Sequence, residues 1–181
     1  MMNPWYSGDF LRIYSSEACP RQDDWADANK QDSYAQQIVN HPSFVDAVQK
    51  VNIALNTTGL GFFDLYKFID NGYCMNYLGR TPNPIFSENS AIKQQLNTLY
   101  ILEAVIKLYY TEHQLRATAN GFFNQTVHNF KKVIADKSGV QWVFYSAHDT
   151  SVMNYLTRLG LTGAKCIYEN YLNGTYFNNQ T

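Results

Sequence analysis

No C-x-x-C pair occurs in this 181-residue chain, nor does an apolar run long enough to cross a bilayer, a leader-like N-terminus or a surplus of either charge. Each absence removes a class of function. The three cysteines, Cys19, Cys74 and Cys166, are widely spaced, which excludes a zinc ribbon and a thioredoxin-like redox pair. Their odd number means that if two of them pair, the third needs a partner outside this chain. Lys plus Arg total 14 against 15 for Asp plus Glu. Nothing in that balance would concentrate nucleic acid or an anionic surface, so no nucleic-acid partner is expected. A spanning helix needs about 18 uninterrupted apolar residues. The nearest candidate, Leu99 to Tyr110, is broken by Glu103 and Lys107, and no membrane span is expected. Met1 to Tyr6 has neither a basic n-region nor an apolar h-region, so nothing in it would direct secretion.

What is present reads as a folded, aromatic-rich chain. Charged residues make up only 16% of it and aromatics 15%, with 14 Tyr, so Asn and Gln must carry the solubility. The length suits one domain or one lobe of a larger one. Sequons at Asn56, Asn124, Asn173 and Asn179 are an extracellular feature, although an Asn-rich chain also produces them by chance.

Along the chain, the stretch to Arg21 has no sustained period and reads as an irregular lead-in, taken as residues 1–22. From Asp23 the spacing of Trp25, Ala28, Tyr34, Ala35, Ile38 and Val39 predicts a helix ending before His41-Pro42. Pro42 then fits the first turn of a second helix, which runs to Asn56-Thr57-Thr58-Gly59. Phe62 to Ile69 predicts a short aromatic helix, with a loop marked by Asn71-Gly72 and by Gly79 to Pro84. Ser87 or Asn89 is positioned to cap a broad-faced helix from Ile92 to about Tyr110. Phe122 to Ile134 predicts another, with Phe123, Val127, Phe130, Val133 and Ile134 inward. Val140 to Tyr145 is a β-prone run expected to form a buried strand. Asp149 or Thr150 then caps a helix that Gly160 closes, and Cys166 to Leu172, Asn173-Gly174 and Thr175 to Phe177 suggest a hairpin. The expected organisation is a mainly helical region over 23–115 and an α/β region over 116–181.

Chemistry gathers at Tyr145-Ser146-Ala147-His148-Asp149-Thr150, where a strand exit meets a helix start. Open α/β sheets place ligands at such points, and the outward N–H groups of a helix start favour an anion such as phosphate. A protonated carboxyl beside that anion is what a general acid needs to hand a proton to a departing alcohol oxygen. Asp149 fits that role and His148 that of a phosphoryl-oxygen donor. Spacing alone leaves the other reading open, in which Asp149 is an ordinary N-cap and His148 a turn residue. A Ser146-His148-Asp149 triad is dismissed, since side chains so close in sequence cannot align as nucleophile, base and orienter. No further ligands accompany the pair, so no metal site is read here, and no cofactor is implied.

Trp142 to Val152, containing Tyr-Ser-Ala-His-Asp-Thr, resembles the His-Asp motif of histidine acid phosphatases of the prostatic and lysosomal type. Cys19-Pro20-Arg21, Asn71-Gly72-Tyr73-Cys74 and Cys166 to Tyr171 are similar to further family stretches, in the family's order. The resemblance implies a phosphoglycerate-mutase-like α/β fold, here incomplete, with a helical cap before the C-terminal part of the core. It also implies hydrolysis of phosphomonoesters through a phosphohistidine, with Asp149 as proton donor and His148 as phosphate ligand. Cys74 and Cys166 match a family disulfide, and the family partner of Cys19 lies beyond Thr181. The resemblance places the protein in a secreted or lysosomal compartment and admits a homodimer. The family's nucleophile lies in an R-H-G-x-R segment, yet none of Arg12, Arg21, Arg80, Arg116 and Arg158 adjoins a histidine. His41, His113 and His128 do not match that motif and are expected on the surface or on helix faces. The chain is therefore expected to be a C-terminal part of such an enzyme, inactive alone, with apolar surface exposed around Val140 to Tyr145. A phytase-type phosphatase is the enzymatic alternative, and a non-catalytic helical interaction module is the alternative of another class.

Overall fold

Eight α-helices carry most of the residues that this computed structural model describes, namely 21–80, 83–136, 142, 144, 146 and 148–175. They are α1 (Arg21–Lys30), α2 (Ser33–Val39), α3 (Pro42–Ala54), α4 (Tyr66–Tyr77), α5 (Lys93–Leu108), α6 (Glu112–Asp136), α7 (Asp149–Arg158) and α8 (Ala164–Leu172). Short 3-10 turns at Phe62–Asp64 and Pro84–Phe86 precede α4 and α5. The chain forms two units, Met1–Asp27 with Leu108–Gly163, and Ala28–Lys107 with Ala164–Thr181.

In the second unit, capping residues set the helix starts. The Asp32 carboxylate accepts from the backbone N–H groups of Tyr34 and Ala35 at 2.9 and 3.1 Å, so the single helix expected from Asp23 to Val39 is broken into α1 and α2. Pro42 opens α3, as its fixed φ and missing N–H allow. The core gathers around Phe44, which is fully buried, stacks on Tyr171 at 4.9 Å and meets Phe62 edge-on at 5.8 Å. His41 packs against Phe44, Tyr168 and Tyr171, and its Nδ1 pairs with Ser43 Oγ at 2.7 Å. On α5, Leu96, Leu99, Leu102, Val105 and Ile106 are buried.

The first unit is built on α6 and α7. Thr111 and Gln114 form a reciprocal capping box: Gln114 N–H donates to Thr111 Oγ1, and Thr111 N–H donates to Gln114 Oε1, each at 3.3 Å. This box starts α6 ten residues earlier than the apolar pattern predicts. Tyr155 of α7 then packs on Phe122 and Phe123 at 5.2 and 5.9 Å. Glu112 ties the two helices, accepting from Arg116 at 3.0 Å and from Arg158 at 2.8 Å. The Arg116 hydrogen bond, helped by the charge of Arg158, holds the Glu112 carboxyl below the usual carboxylate range.

The expected α/β fold is overturned. Among the described residues there is no strand and no sheet, and the class is helical. The hairpin at the C-terminal end is corrected to α8, and the reason is visible in its spacing. Ala164, Ile167, Tyr168 and Tyr171 recur at helical intervals, and the first three are buried. Asn173-Gly174, expected as a hairpin turn, instead closes α8. Gly174 sits at φ +65°, its N–H donates to Tyr171 O at 3.1 Å, and Thr175 N–H donates to Asn170 O at 3.0 Å. That is the Schellman pattern, which uses glycine because the left-handed conformation has no Cβ penalty. Asn71-Gly72, expected in a loop, lies inside α4. Phe86 packs so closely there that a Cβ on Gly72 would sit 2.5 Å from Phe86 Cβ. Val140, Val143 and Tyr145 of the expected strand lie outside the described residues, as do the lead-in through Pro20 and the hairpin residues Tyr176 and Phe177. Trp142 and Phe144, which are described, are non-helical and exposed at 77% and 72%. Phe130 and Ile134, expected inward on α6, are exposed.

Candidate functional site

The residues singled out for chemistry stand at the first turn of α7. His148 is the N-cap, with φ −87° and ψ 168°, and Asp149 is the first helical residue. The cap thus falls one residue before the Asp149 or Thr150 that the sequence suggests. The His148 side chain makes no cap hydrogen bond. Asp149 Oδ1 accepts from the Thr150 N–H at 2.7 Å, while the Ser151 and Val152 N–H groups donate to His148 O at 3.0 and 3.2 Å. Of the donors a helix start usually offers, those of Thr150 and Ser151 are therefore already used within the chain. Both His148 and Asp149 side chains are exposed to solvent. The Asp149 carboxyl also lies at the positive end of the helix dipole.

A contact that the sequence reading missed fixes this turn. The hydroxyl of Tyr109, a buried residue, donates to the carbonyl of Thr150 at 3.0 Å and ties the start of α7 to its own unit. The signal lay in a tyrosine at the end of an apolar run, where a buried ring needs an outlet for its hydroxyl. Farther along α7, Asn154 is buried with its Oδ1 unpaired among the described residues.

The other candidates have contacts of their own. Arg116 and Arg158 are engaged with Glu112, and Arg158 also covers the Phe123 ring at 5.7 Å. Among the described residues no ion pair joins an arginine to Asp149, and no three His, Cys, Asp or Glu side chains cluster as metal ligands. His113 and His128 are exposed on α6. Cys74 on α4 and Cys166 on α8 are exposed free thiols, and Asn170 Nδ2 donates to Cys166 Sγ at 3.5 Å. Of the sequons, Asn56 and Asn173 are exposed at helix ends, Asn124 is exposed within α6, and Asn179 lies outside the described residues.

The arrangement exposes an imidazole and a carboxyl on consecutive residues at a helix start, groups able to exchange protons and hydrogen bonds with a ligand. Compared with known proteins, the chain matches no family model, no curated protein and no solved structure.

Proposed function

We propose that this chain supplies the proton-donor half of an acid phosphatase site, Asp149 protonating the leaving group of a phosphomonoester and His148 donating to a phosphoryl oxygen. The observation that carries the reading is the joint exposure of His148 and Asp149 at the start of α7, within the motif that resembles histidine acid phosphatases. A hydrogen-bonded helix start is a suitable mount, because general-acid catalysis requires the acid within hydrogen-bond reach of the departing oxygen. The reading requires an attacking imidazole and an arginine clamp, which no R-H-G-x-R motif in this sequence supplies, and the expected setting is secreted or lysosomal. Without them no phosphohistidine forms and little transition-state charge is neutralised, so the chain alone turns over no ester. The helical class removes the sheet as a support for the reading, which rests on the motif and on its exposure.

The test has two arms. Purified chain is assayed with p-nitrophenyl phosphate at acid pH, where no turnover is expected, and turnover lost in Asp149→Asn would overturn the half-site reading. A longer product carrying an R-H-G-x-R segment is then assayed with an alkyl phosphate. There Asp149→Asn is expected to lower kcat about 10²–10⁴-fold, the usual worth of a positioned general acid. The loss should be smaller with p-nitrophenyl phosphate, whose leaving group needs little protonation. Equal kcat in parent and variant on the alkyl ester would remove Asp149 from the mechanism. The helical class favours one second reading, a non-catalytic interaction module, which predicts no turnover in either arm.

A further inference from the structure

An open groove of about 540 Å³ lies in the second unit, lined by Tyr73, Asn76, Tyr77, Glu88, Lys93 and Asn97. Its volume is in the range of small-molecule sites. Lys93 and Glu88 pair at 2.8 Å, and the Lys93 ammonium sits 4.1 Å from the centre of the Tyr73 ring. The Tyr73 hydroxyl donates to Asn97 Oδ1, and Asn76 Nδ2 donates to Phe86 O at 3.1 Å. Burial, with the nearby Glu88 charge, pushes the Tyr73 hydroxyl up to about 12 and keeps it a neutral donor.

Subtracting these internal bonds leaves a defined set of groups. Asn97 keeps its amide N–H₂, Asn76 its carbonyl oxygen, Glu88 its second carboxylate oxygen and Lys93 the remaining N–H bonds of its ammonium. Donors and acceptors thus both occur among the residues of a groove whose lining is otherwise largely apolar. Tyr77 beside them is 92% exposed, a large ring held in water with no ring or hydrogen-bond partner among the described residues. An anion is disfavoured because its approach to Lys93 would displace Glu88 while facing that carboxylate, and a cation meets the converse problem. A wholly apolar ligand would strand the Asn amides. A flat base gains from a ring on each face, but one face of Tyr73 is taken by Lys93. A neutral pyranose meets each condition: its C–H face covers one tyrosine, and every hydroxyl both gives and accepts a hydrogen bond.

We infer that this groove is a binding subsite for a neutral monosaccharide, with Tyr77 as the stacking platform and Asn76, Asn97, Glu88 and Lys93 as hydroxyl partners. The experiment is saturation-transfer NMR on the whole chain with the methyl glycosides of glucose, galactose, mannose and N-acetylglucosamine, each titrated in turn. At least one glycoside is expected to receive saturation on its ring protons. Tyr77→Ala, at an exposed position where the fold has nothing to lose, should weaken it about tenfold, and Glu88→Gln, also exposed, should weaken it less. Saturation of no glycoside, binding unchanged in Tyr77→Ala, or displacement of the glycoside by inorganic phosphate or by adenosine would overturn the assignment.

Discussion

Helices α5 and α6 both carry apolar residues at helical spacing, yet they end in opposite conditions. Leu96, Leu99, Leu102, Val105 and Ile106 run down α5 and all are buried. On α6 the buried residues among those described are Gln114, Leu115, Thr118 and Ala119, near its start, while Phe130 and Ile134 are 62% and 82% exposed. Periodicity dictates which face of a helix is apolar, but whether that face is covered depends on a neighbour that the helix does not encode. Tyr155 of α7 supplies one for Phe122 and Phe123, and among the described residues nothing comparable reaches Phe130.

The strongest way to break this contrast is a pair of truncations. Leu102→Ala empties a fully buried site and should cost about 2–5 kcal/mol, whereas Phe130→Ala should fall within about 0.5 kcal/mol of the parent. Urea unfolding of the two variants measures both. A comparable loss in Phe130→Ala would mean that this face of α6 is covered in solution.

Gly72→Ala is a smaller effect with an informative sign. Inside an ordinary helix the change should stabilise by up to about 1 kcal/mol, since glycine is a poor helix former. Here the new methyl would meet Phe86 at 2.5 Å, so a loss of about 1–3 kcal/mol is expected, typical of overpacking. The neighbouring exposed Asn71→Ala should show no such loss. A higher melting temperature in Gly72→Ala would show that Phe86 yields easily.

These two sites also mark what the sequence could and could not tell. The extents of α3, α5 and α7 were legible because Pro42, the long apolar face after Ile92 and Gly160 each act within a few residues of where they stand. The break at Asp32 and the start at Thr111-x-x-Gln114 were equally local signals, overlooked because capping residues add nothing to an apolar count. Gly72 was not legible, because the partner that demands it, Phe86, is distant in sequence. Asn173-Gly174 was ambiguous by nature, since a hairpin turn and a helix C-cap both call for positive φ, and the spacing of Ala164, Ile167, Tyr168 and Tyr171 had to decide. At the candidate site, the His148-Asp149 pair was read directly from its motif. Its Tyr109 anchor was hidden, because nothing in a tyrosine's neighbours says which carbonyl its hydroxyl will find.

The finest test concerns a carboxylate on the buried face of α5, where α6 holds its own acidic residue Glu112 in solvent. The Glu103 side chain is 1% exposed, bonds Lys107 Nζ at 2.5 Å and accepts the Tyr66 N–H at 2.9 Å. Burial raises its carboxyl above the usual value of 4.5, and the Lys107 bond and charge and the Tyr66 N–H only partly offset this. The folded state therefore holds a proton on Glu103 to higher pH than the unfolded chain does. The corresponding stability is complete below 4.5 and drains away as pH rises through the raised value. Glu103→Gln cannot titrate but keeps an oxygen for Tyr66, so the parent's urea midpoint should decline relative to the variant's between acid pH and neutrality. A parent that instead gains on the variant as pH rises would mean that Lys107 outweighs burial, and that α5 carries an ion pair that stabilises the fold.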